Sequence, residues 1–346
     1  MFLALSNTGC PGENKQETDP KKKKEVEVGP GGKPGDNKKL GDNKKLGEAN
    51  KFKGNADLDE VEVESLLAHV CAANAYLKVP NISPQEEGRI YCLLRERVRD
   101  FMRIEQAEQA GNEKEVQRLS GPFKKKTKEI LDVNRIIKDS RSYWRNPNYD
   151  QRPLHVVVEN AINSANKNTF DKTLRTIHFL IKAGADLSLK NNYKLRETPL
   201  HYAISFSSSR DVKGRKKGVA LAKFLIKEGA DVNLDTSPGP FLTNGDTPLF
   251  HAVKHANYDL VNVLLGVPGI EVNKKSDTYL KEDKTIPGKI TPRPTLTPLK
   301  LCEELLKLFT KTTKNDLEKE AFELVKNRKN ELSQIKEQLI KAAAKK

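Results

Sequence analysis

Two histidines with the spacing of metal ligands are the residues in this sequence that come closest to a catalytic motif. His251 and His255 stand four residues apart, so their imidazoles would share one face of a helix, as zinc ligands do. No glutamate lies between them, so the zinc-protease pattern fails. We therefore expect an ordinary pair of surface histidines and no metal site.

Other catalytic motifs are missing as well. The nearest approach to a phosphate-binding loop, Gly31-Gly32-Lys33, continues into Pro34 instead of Ser or Thr. The sequence has neither a Gly-x-Ser-x-Gly nucleophile elbow nor a Gly-x-Gly-x-x-Gly loop before a helix. Its four cysteines lie far apart without a Cys-x-x-Cys pair, which excludes a disulfide scaffold and a cysteine-rich zinc module. We expect a protein that is not an enzyme and needs no cofactor.

The composition limits the size of the core. The chain has 346 residues and a formal net charge of +15, and only 36% of its residues are hydrophobic. This length is enough for two average domains of about 150 residues each, but so polar a chain buries a core along only part of its length. A membrane-spanning helix needs about 20 consecutive apolar residues. The apolar runs here are far shorter, which excludes a polytopic membrane protein.

Residues 11–56 form a polar segment that we predict to be a disordered linker rich in lysine and glycine. Within it the hexapeptide Gly-Asp-Asn-Lys-Lys-Leu occurs twice in succession, at 35–40 and 41–46. A short polar repeat cannot offset its ordering entropy by burial. The alternative is a basic nucleic-acid-binding segment, but acidic residues interleave with the lysines and only Phe52 is placed for base stacking. We favour the linker and do not expect nucleic-acid binding.

The first ten residues run from apolar side chains into small residues and end at Cys10. They resemble the end of a bacterial lipoprotein signal peptide, in which the cysteine is lipidated and becomes the mature N-terminus. The resemblance implies lipidation of Cys10, a location in the bacterial cell envelope or outside the cell, and a mainly structural role as an alternative function. The segment lacks a positively charged start, its apolar part is short, and Asn7 stands where the family prefers Leu. The ordinary N-terminus of a cytoplasmic protein therefore stays open.

Residues 57–145 have the apolar spacing of helices, and we predict a helical region that caps the repeated segments after it. One helix starts near Asp59. A second has a strong start signal, with Ser83 at the N-cap, Pro84 in the first turn and Glu86 three residues after the cap. A third is predicted over 123–139, where apolar residues recur at helical spacing.

Four segments after residue 150 repeat one motif. Thr-Pro-Leu-His, or a variant of it, starts at Arg152, Thr198, Thr247 and Thr297. The first two copies are followed by Leu-Ile-Lys-x-Gly-Ala-Asp, and the third by Leu264-Leu265 and then Gly269. In this order the segments resemble the ankyrin repeat, in which Thr-Pro-Leu-His opens a first helix and Gly-Ala-Asp follows a second. The resemblance covers roughly 150–310 and implies an all-α fold, an ankyrin-repeat helical solenoid with an N-terminal helical cap region and a disordered tail.

Each residue of the motif has a physical role. A threonine caps the first helix and can bond to the histidine of its own motif, while proline in the first turn forfeits no hydrogen bond. A glycine ends the second helix, where the chain turns with positive φ. The apolar stripe of each helix pair is buried only by the neighbouring pair. The predicted structural positions are Pro153, His155, Gly184, Thr198, Pro199, His201, Gly229, Thr247, Pro248, Gly269 and Pro298.

The spacing departs from the family's period of about 33 residues. The prolines of the four copies are 46, 49 and 50 residues apart. We predict that the first two repeats carry extra residues between their helices, at 160–172 and 206–218. Within a repeat region of 146–313, the repeats are expected at about 150–196, 197–245 and 246–296, with a degenerate fourth from 297.

The last segment, 314–346, is predicted to be a charged helix that caps the repeats. Val325, Leu332 and Leu339 are seven residues apart, but three points are too few to establish a coiled coil. A capping helix with a lysine-rich end is the interpretation that we favour.

The resemblance to ankyrin repeats implies a non-catalytic protein–protein interaction module. Ankyrin stacks bind partners on a concave face made by the first helix of each pair and by the loop tips. Transferred by position, the expected contacts are Glu159, Asn160, Asn192, Tyr193, Lys194, Ser205, Phe206, Phe241, Leu242, Lys254 and His255. The expected partner is another, unidentified protein, which for a host-associated bacterium includes a host protein, and the expected state is a monomer.

Overall fold

The computed structural model describes residues 58–74, 83–134, 137–138, 150–191, 196–206, 212–236, 245–276, 281–282, 290–291, 295–311 and 319–345. Cys10 and the linker 11–56 lie outside these ranges, as do the predicted loop-tip contacts at 192–194 and 241–242. The lipoprotein and nucleic-acid hypotheses depend on the N-terminal residues, so they stay predictions.

Within the described residues, three helices precede the repeats: α1 (Glu60–Asn74), α2 (Pro84–Gln109) and α3 (Glu113–Lys128). The predicted start of α2 is confirmed, because the Ser83 hydroxyl accepts a hydrogen bond from the Glu86 backbone N–H at 3.3 Å and Pro84 lies in the first turn. Helix α2 packs against α1 and α3, and all three helices contact the helix pair that comes after them.

The prediction of a third helix over 123–139 is wrong. Helix α3 begins before this range and ends at Lys128. The apolar spacing comes from two separate pieces, because Phe123 is buried on α3 whereas Leu131 and Val133 are buried in the non-helical stretch after it. Both pieces contribute to the same core, so their apolar residues have the sequence spacing of one face of a longer helix.

Helical hairpins follow in regular order. The pairs are α4 (Pro153–Ile162) with α5 (Lys167–Lys182), α6 (Pro199–Phe206) with α7 (Val212–Lys227), α8 (Pro248–Lys254) with α9 (Tyr258–Leu265), and α10 (Pro298–Lys311) with α11 (Lys319–Ala344). The first helices α4, α6, α8 and α10 pack against one another in that order, and α7, α9 and α11 pack in a second layer. The described residues therefore form the all-α helical solenoid that the motifs predict, with short strands only in the connections.

In the part of the chain that the structure describes, two antiparallel pairs of short strands lie in the connections between helices. They are β1 (Ile137–Lys138) with β2 (Asp150–Gln151), between α3 and α4, and β3 (Lys281–Glu282) with β4 (Ile290–Thr291), between α9 and α10. An isolated bridge also joins Ser276 to Leu296, with N···O distances of 2.9 and 2.8 Å. The bridge brings the two ends of the long α9–α10 connection together, and it thereby fixes where α10 begins.

The extra residues of the first two repeats lie in their helices more than between them. The sequence predicts an insertion at 160–172, but α4 continues to Ile162 and α5 already begins at Lys167. The range 206–218 is partly helical as well, since α7 begins at Val212. Helices α5 and α7 have 16 residues each, whereas α9 has 8. Longer second helices therefore account for much of the long repeat period.

The N-terminal helices and the first helix pair share one core. The rings of Phe101, Phe123 and Phe179 meet at centroid distances of 5.4 to 6.2 Å, which joins α2, α3 and α5. Beside this contact the Arg175 guanidinium pairs with the Glu105 carboxylate at 2.7 Å. Helices α1, α2 and α3 therefore cover the end of the first helix pair, and the terminus of a solenoid needs such a cover.

The last helix pair continues the stack. Helix α10 packs on α8, and α11 packs on both α9 and α10. Leu332, Ile335 and Leu339 of α11 are buried, and the Cys302 thiol donates a hydrogen bond to the Leu332 carbonyl at 3.2 Å. Helix α11 therefore takes the place relative to α10 that α9 takes relative to α8.

Candidate functional site

Histidines of the repeated motif join the first helix pair to the second and the second pair to the third. The His155 Nε2–H donates to the Glu197 carbonyl at 2.9 Å, and the His201 Nε2–H donates to the Asp246 carbonyl, also at 2.9 Å. Because a carbonyl oxygen only accepts, each ring carries its proton on Nε2. In the second copy the Thr198 hydroxyl also bonds to Nδ1 of His201 at 2.8 Å, so this ring is held on both sides.

Burial makes both of these imidazoles poor proton acceptors. It lowers the pKa of His155 to about 4 and the pKa of His201 to about 3. The neighbouring His251 contributes to the lowered pKa of His201. Both rings are therefore neutral at neutral pH, and they act as structural hydrogen-bond donors.

Glycines with positive φ follow the second helix of each of the first three pairs. Gly184, Gly229 and Gly269 have φ values of 100°, 94° and 80°, in the left-handed region that glycine adopts without strain. After α7 the Ala230 N–H donates to the Leu225 carbonyl at 2.9 Å. This hydrogen bond closes the end of the helix while the chain turns towards the next pair.

The third copy of the motif departs from the first two. Thr247 still caps α8, by accepting a hydrogen bond from the Phe250 N–H at 3.2 Å, and Pro248 lies in the first turn. The position of the motif histidine is taken by Phe250, which is buried, and His251 comes one residue later. One residue turns a helix by about 100°, so His251 faces the preceding helix pair.

His251 is only 3% exposed, so the prediction of a surface pair with His255 is wrong for this residue. Its Nε2 lies 2.8 Å from the Ser205 hydroxyl and 3.2 Å from Nε2 of His255. The packing of α8 against α6 buries the ring, an effect that the local sequence does not reveal. We call Glu197, Ser205, Asp246, His251 and His255 the His251 cluster.

Two buried carboxylates belong to this cluster. Glu197 is 6% exposed and Asp246 is 2% exposed. Glu197 Oε1 accepts a hydrogen bond from the Ser205 hydroxyl at 3.1 Å. Asp246 accepts one from the Ser276 hydroxyl at 2.7 Å and pairs with Lys254 Nζ at 3.3 Å. The cluster therefore connects the second helix pair, the third helix pair and the segment after the third.

His255, at the end of α8, is neutral. Burial, together with the neighbouring His251, Lys254 and Arg328, lowers its pKa to about 3. Its backbone carbonyl accepts a hydrogen bond from the Arg328 guanidinium at 2.7 Å. Because Arg328 lies on α11, the last helix holds the end of α8 in place.

The predicted partner contacts fall into three groups. Asn160 is exposed on α4, and Glu159 beside it is half-buried and accepts a hydrogen bond from the Tyr202 hydroxyl at 3.3 Å. A second group takes part in the buried polar contacts above, namely Ser205, Lys254 and His255. The third group lies outside the described residues: Asn192, Tyr193, Lys194, Phe241, Leu242 and the side chain of Phe206.

Glu197 and Asp246 are residues of the site that sequence reasoning missed. Each stands immediately before the threonine of its motif, at Thr198 and Thr247. An acidic residue repeated at this position is a signal that an alignment of the copies could have found. Their role as buried neighbours of His251 has no such signal, because it depends on the packing of α8 against α6.

The described residues hold no group of three or more histidine, cysteine, aspartate or glutamate side chains arranged to bind a metal ion. The helices in the same ranges include none that is long and apolar enough to cross a membrane. Cys71 and Cys302 are free and buried, and burial raises the pKa of their thiols to about 12 and about 11. Neither thiol is therefore suited to act as a nucleophile.

Stacked pairs of antiparallel helices, joined by buried histidines and ended by glycines with positive φ, define a helical repeat protein. The repeat is identified by residues 169–276, which match the family model described as Ankyrin repeats (3 copies). This segment of the chain therefore consists of ankyrin repeats. No curated protein matches the chain. Ankyrin repeats support a role in protein–protein interaction and are typically non-catalytic.

Proposed function

We propose that this protein binds a partner protein on the concave face of its ankyrin stack, without catalysis. The face is formed by α4, α6, α8 and α10 together with the loop tips between the pairs. The observation that carries the proposal is the ankyrin match over residues 169–276, together with the packing of α4, α6, α8 and α10 in one continuous layer. Such a layer offers an extended surface to a partner.

Asn160 is the described residue best placed for a contact on this face. It is exposed on α4, and its neighbour Glu159 is held by the Tyr202 hydroxyl of the next helix pair at 3.3 Å. An exposed amide beside an ordered carboxylate suits direct hydrogen bonds to a partner. Ser205 and His255 are less suited, because their side chains bond within the His251 cluster.

Replacing Asn160 by arginine tests the proposed face. The longer, charged side chain should obstruct a partner without disturbing the core, because Asn160 is exposed. Asn168→Arg is the matched control, since Asn168 is also exposed but lies on α5, the second helix of the same pair. The partner is isolated by affinity capture with the full chain and then titrated against each variant by calorimetry. We expect Asn160→Arg to weaken binding about tenfold and Asn168→Arg to leave it unchanged.

The control decides between the face and a general effect of added charge. Equal weakening by both variants, or by neither, would contradict a binding site on the first helices. The melting temperatures of both variants should match that of the wild type, because neither position is buried.

The loop tips are the second part of the proposed face. Changing both Tyr193 and Lys194 to alanine should weaken binding of the same partner without lowering the melting temperature, as expected for an aromatic anchor and its neighbouring cation. Binding equal to that of the wild type would show that this loop tip does not contact the partner.

A further inference from the structure

Helix α2 packs on α5 through paired charges. Arg175 and Lys182 lie seven residues apart on α5 and therefore share one face of that helix. The Arg175 guanidinium pairs with the Glu105 carboxylate at 2.7 Å, and Lys182 Nζ pairs with the Glu108 carboxylate at 2.6 Å. Because the two glutamates are three residues apart on α2, an acidic face of one helix lies on a basic face of the other.

An aromatic side chain completes the acidic face of α2. Phe101 lies one turn before Glu105, and its ring meets the Phe179 ring of α5 edge-on at 5.4 Å between centroids. Phe179, which also meets the ring of Phe123, is fully buried. Helix α2 therefore presents a phenylalanine followed by glutamates four and seven residues later, all on one side of the helix.

Helix α7 repeats the positions of α5 that receive α2. Both helices end in the sequence Phe-Leu-Ile-Lys, at 179–182 in α5 and at 224–227 in α7, and Gly-Ala-Asp follows one residue later in each. The phenylalanine and the lysine that hold α2 on α5 therefore recur one repeat later, as Phe224 and Lys227. Lys223 comes directly before them, where α5 has a histidine.

The repeated positions on α7 are open. Helix α7 packs against α4, α6 and α9, and Lys223 and Lys227 lie on the side that these helices leave exposed. Phe224 is half-buried, whereas its counterpart on α5 is fully buried. Lys216 is exposed on the same face, with the small Ala220 between it and the other lysines. We call Lys216, Lys223, Phe224 and Lys227 the α7 face.

The charge of this face is not balanced within the described part of the chain. None of the three lysines forms an ion pair with a described residue, and α7 has no acidic residue from Val212 to Lys227. Glu228, directly after the helix, lies 3.7 Å from Nε2 of His178 on α5. The corresponding basic face of α5, in contrast, is covered by the carboxylates of α2.

We propose that the α7 face binds an acidic amphipathic helix of a partner protein, in the way that α5 holds α2. The lysines attract carboxylates of the partner, and Phe224 receives an aromatic side chain one turn before them. The occupant is a helix because the same receiving sequence on α5 already holds one. The α7 face belongs to the layer of second helices, so it is independent of the proposed concave face of the first helices.

A second copy of this chain does not supply the acidic helix. In each copy Glu105 and Glu108 are paired within their own chain, and their side chains are only 13% and 29% exposed. The acidic face of α2 is therefore already occupied, and the partner is a different protein.

A synthetic helix of defined sequence tests the α7 face on the full chain. The probe is an alanine-rich peptide with one phenylalanine and two glutamates at the spacing of Phe101, Glu105 and Glu108, and its binding is followed by fluorescence anisotropy. We expect saturable binding to the wild type. Alanine in place of the peptide's phenylalanine should weaken that binding, because the contact with Phe224 is lost.

Charge reversal on the protein locates the binding. Lys223→Glu combined with Lys227→Glu should weaken binding of the peptide at least about tenfold, because like charges then face each other. The matched control is Lys329→Glu combined with Lys341→Glu, which changes two exposed lysines of α11 and should leave binding unchanged. A second peptide, with lysines in place of its two glutamates, should bind the α7 double variant more tightly than the wild type.

Several outcomes overturn the proposal. They are absence of saturable binding to the wild type, equal weakening by both double variants, and binding that does not depend on the peptide's phenylalanine. Tighter binding of a short DNA duplex than of the peptide, with the same loss in the α7 double variant, assigns the face to nucleic acid and overturns the proposal as well. The concave face is unaffected by any of these results, since it is tested separately by Asn160→Arg.

Discussion

The second and third copies of the repeated motif have the same cap and the same proline, but their histidines lie in opposite surroundings. In the second copy His201 is held by the Thr198 hydroxyl and the Asp246 carbonyl, both neutral groups. In the third copy Phe250 takes that position, and His251 lies between buried carboxylates. A displacement of one residue along a helix therefore exchanges a hydroxyl and a backbone carbonyl for two carboxylates as the neighbours of an imidazole, while the helical hairpin around it is retained.

Acid should produce the largest effect, by weakening the neutral histidines. Burial lowers the pKa of His155, His201 and His255 to about 4, about 3 and about 3, against about 6.5 in an unfolded chain. Below pH 6.5 the unfolded chain therefore binds protons that the folded chain does not, and the free energy of unfolding falls as the pH falls. Each group contributes at most about 1.4 kcal/mol per pH unit, and the unfolded histidines are half protonated at pH 6.5, so the three lose up to about 5 kcal/mol between pH 6.5 and 5. Urea denaturation of the full chain at a series of pH values measures the loss.

Two variants distinguish the second copy of the motif from the third in this experiment. In His201→Asn the amide does not titrate, so the dependence of the free energy of unfolding on pH should weaken by about a third. In Phe250→Leu no titratable group is removed, so the dependence should stay that of the wild type. If both variants weakened the dependence equally, the contrast between the two copies would be wrong.

The hairpins of both copies could be predicted from the sequence because their signals are local. Threonine and proline act on the first turn of a helix and glycine acts on its end, within a few residues of chain. The structure accordingly starts α6 at Pro199 and α8 at Pro248. The surroundings of His251 could not be predicted, because Glu197 and Ser205 belong to the preceding pair and reach it only through packing.

The end of α3 was mispredicted for a related physical reason. Helical spacing reports which residues reach the core, and Leu131 and Val133 reach it from a non-helical stretch after Lys128. The long period of the first repeats was likewise assigned to loops, although the residues extend helices of 16 residues. Periodicity therefore located the core well, and it located the boundaries of the elements poorly.

The next largest effect on stability is expected when the phenylalanine of the third copy replaces the motif histidine of the second copy. His201→Phe removes the ring's hydrogen bonds to the Asp246 carbonyl and to Thr198 in a place without water access, since the ring is fully buried. We expect the free energy of unfolding to fall by about 2–3 kcal/mol, measured by urea denaturation at pH 7.5.

The reference for this exchange is Phe250→Leu in the third copy. Phe250 makes no polar side-chain contact, so a smaller apolar residue loses only packing, at a cost of about 1–1.5 kcal/mol. A cost for His201→Phe no larger than that for Phe250→Leu would mean that the second copy does not need its histidine.

The smallest difference between the second and third copies is expected in the stability cost of replacing the glycine after the second helix by alanine. Gly229 and Gly269 have φ values of 94° and 80°, and no neighbouring atom lies within 4 Å of a Cβ added to either. The cost of alanine at each is therefore the strain of positive φ alone, about 1 kcal/mol, and the two variants should agree within about 0.5 kcal/mol. Gly184 is the contrast, because the Lys124 side chain would lie 2.8 Å from the new Cβ and must move, which should add a few tenths of a kcal/mol. The loss of free energy of unfolding is measured for Gly229→Ala and Gly269→Ala by thermal and urea denaturation. Equal losses would mean that the two copies differ only on the face of the first helix. Clearly unequal losses would mean that the backbone after the second helix differs as well.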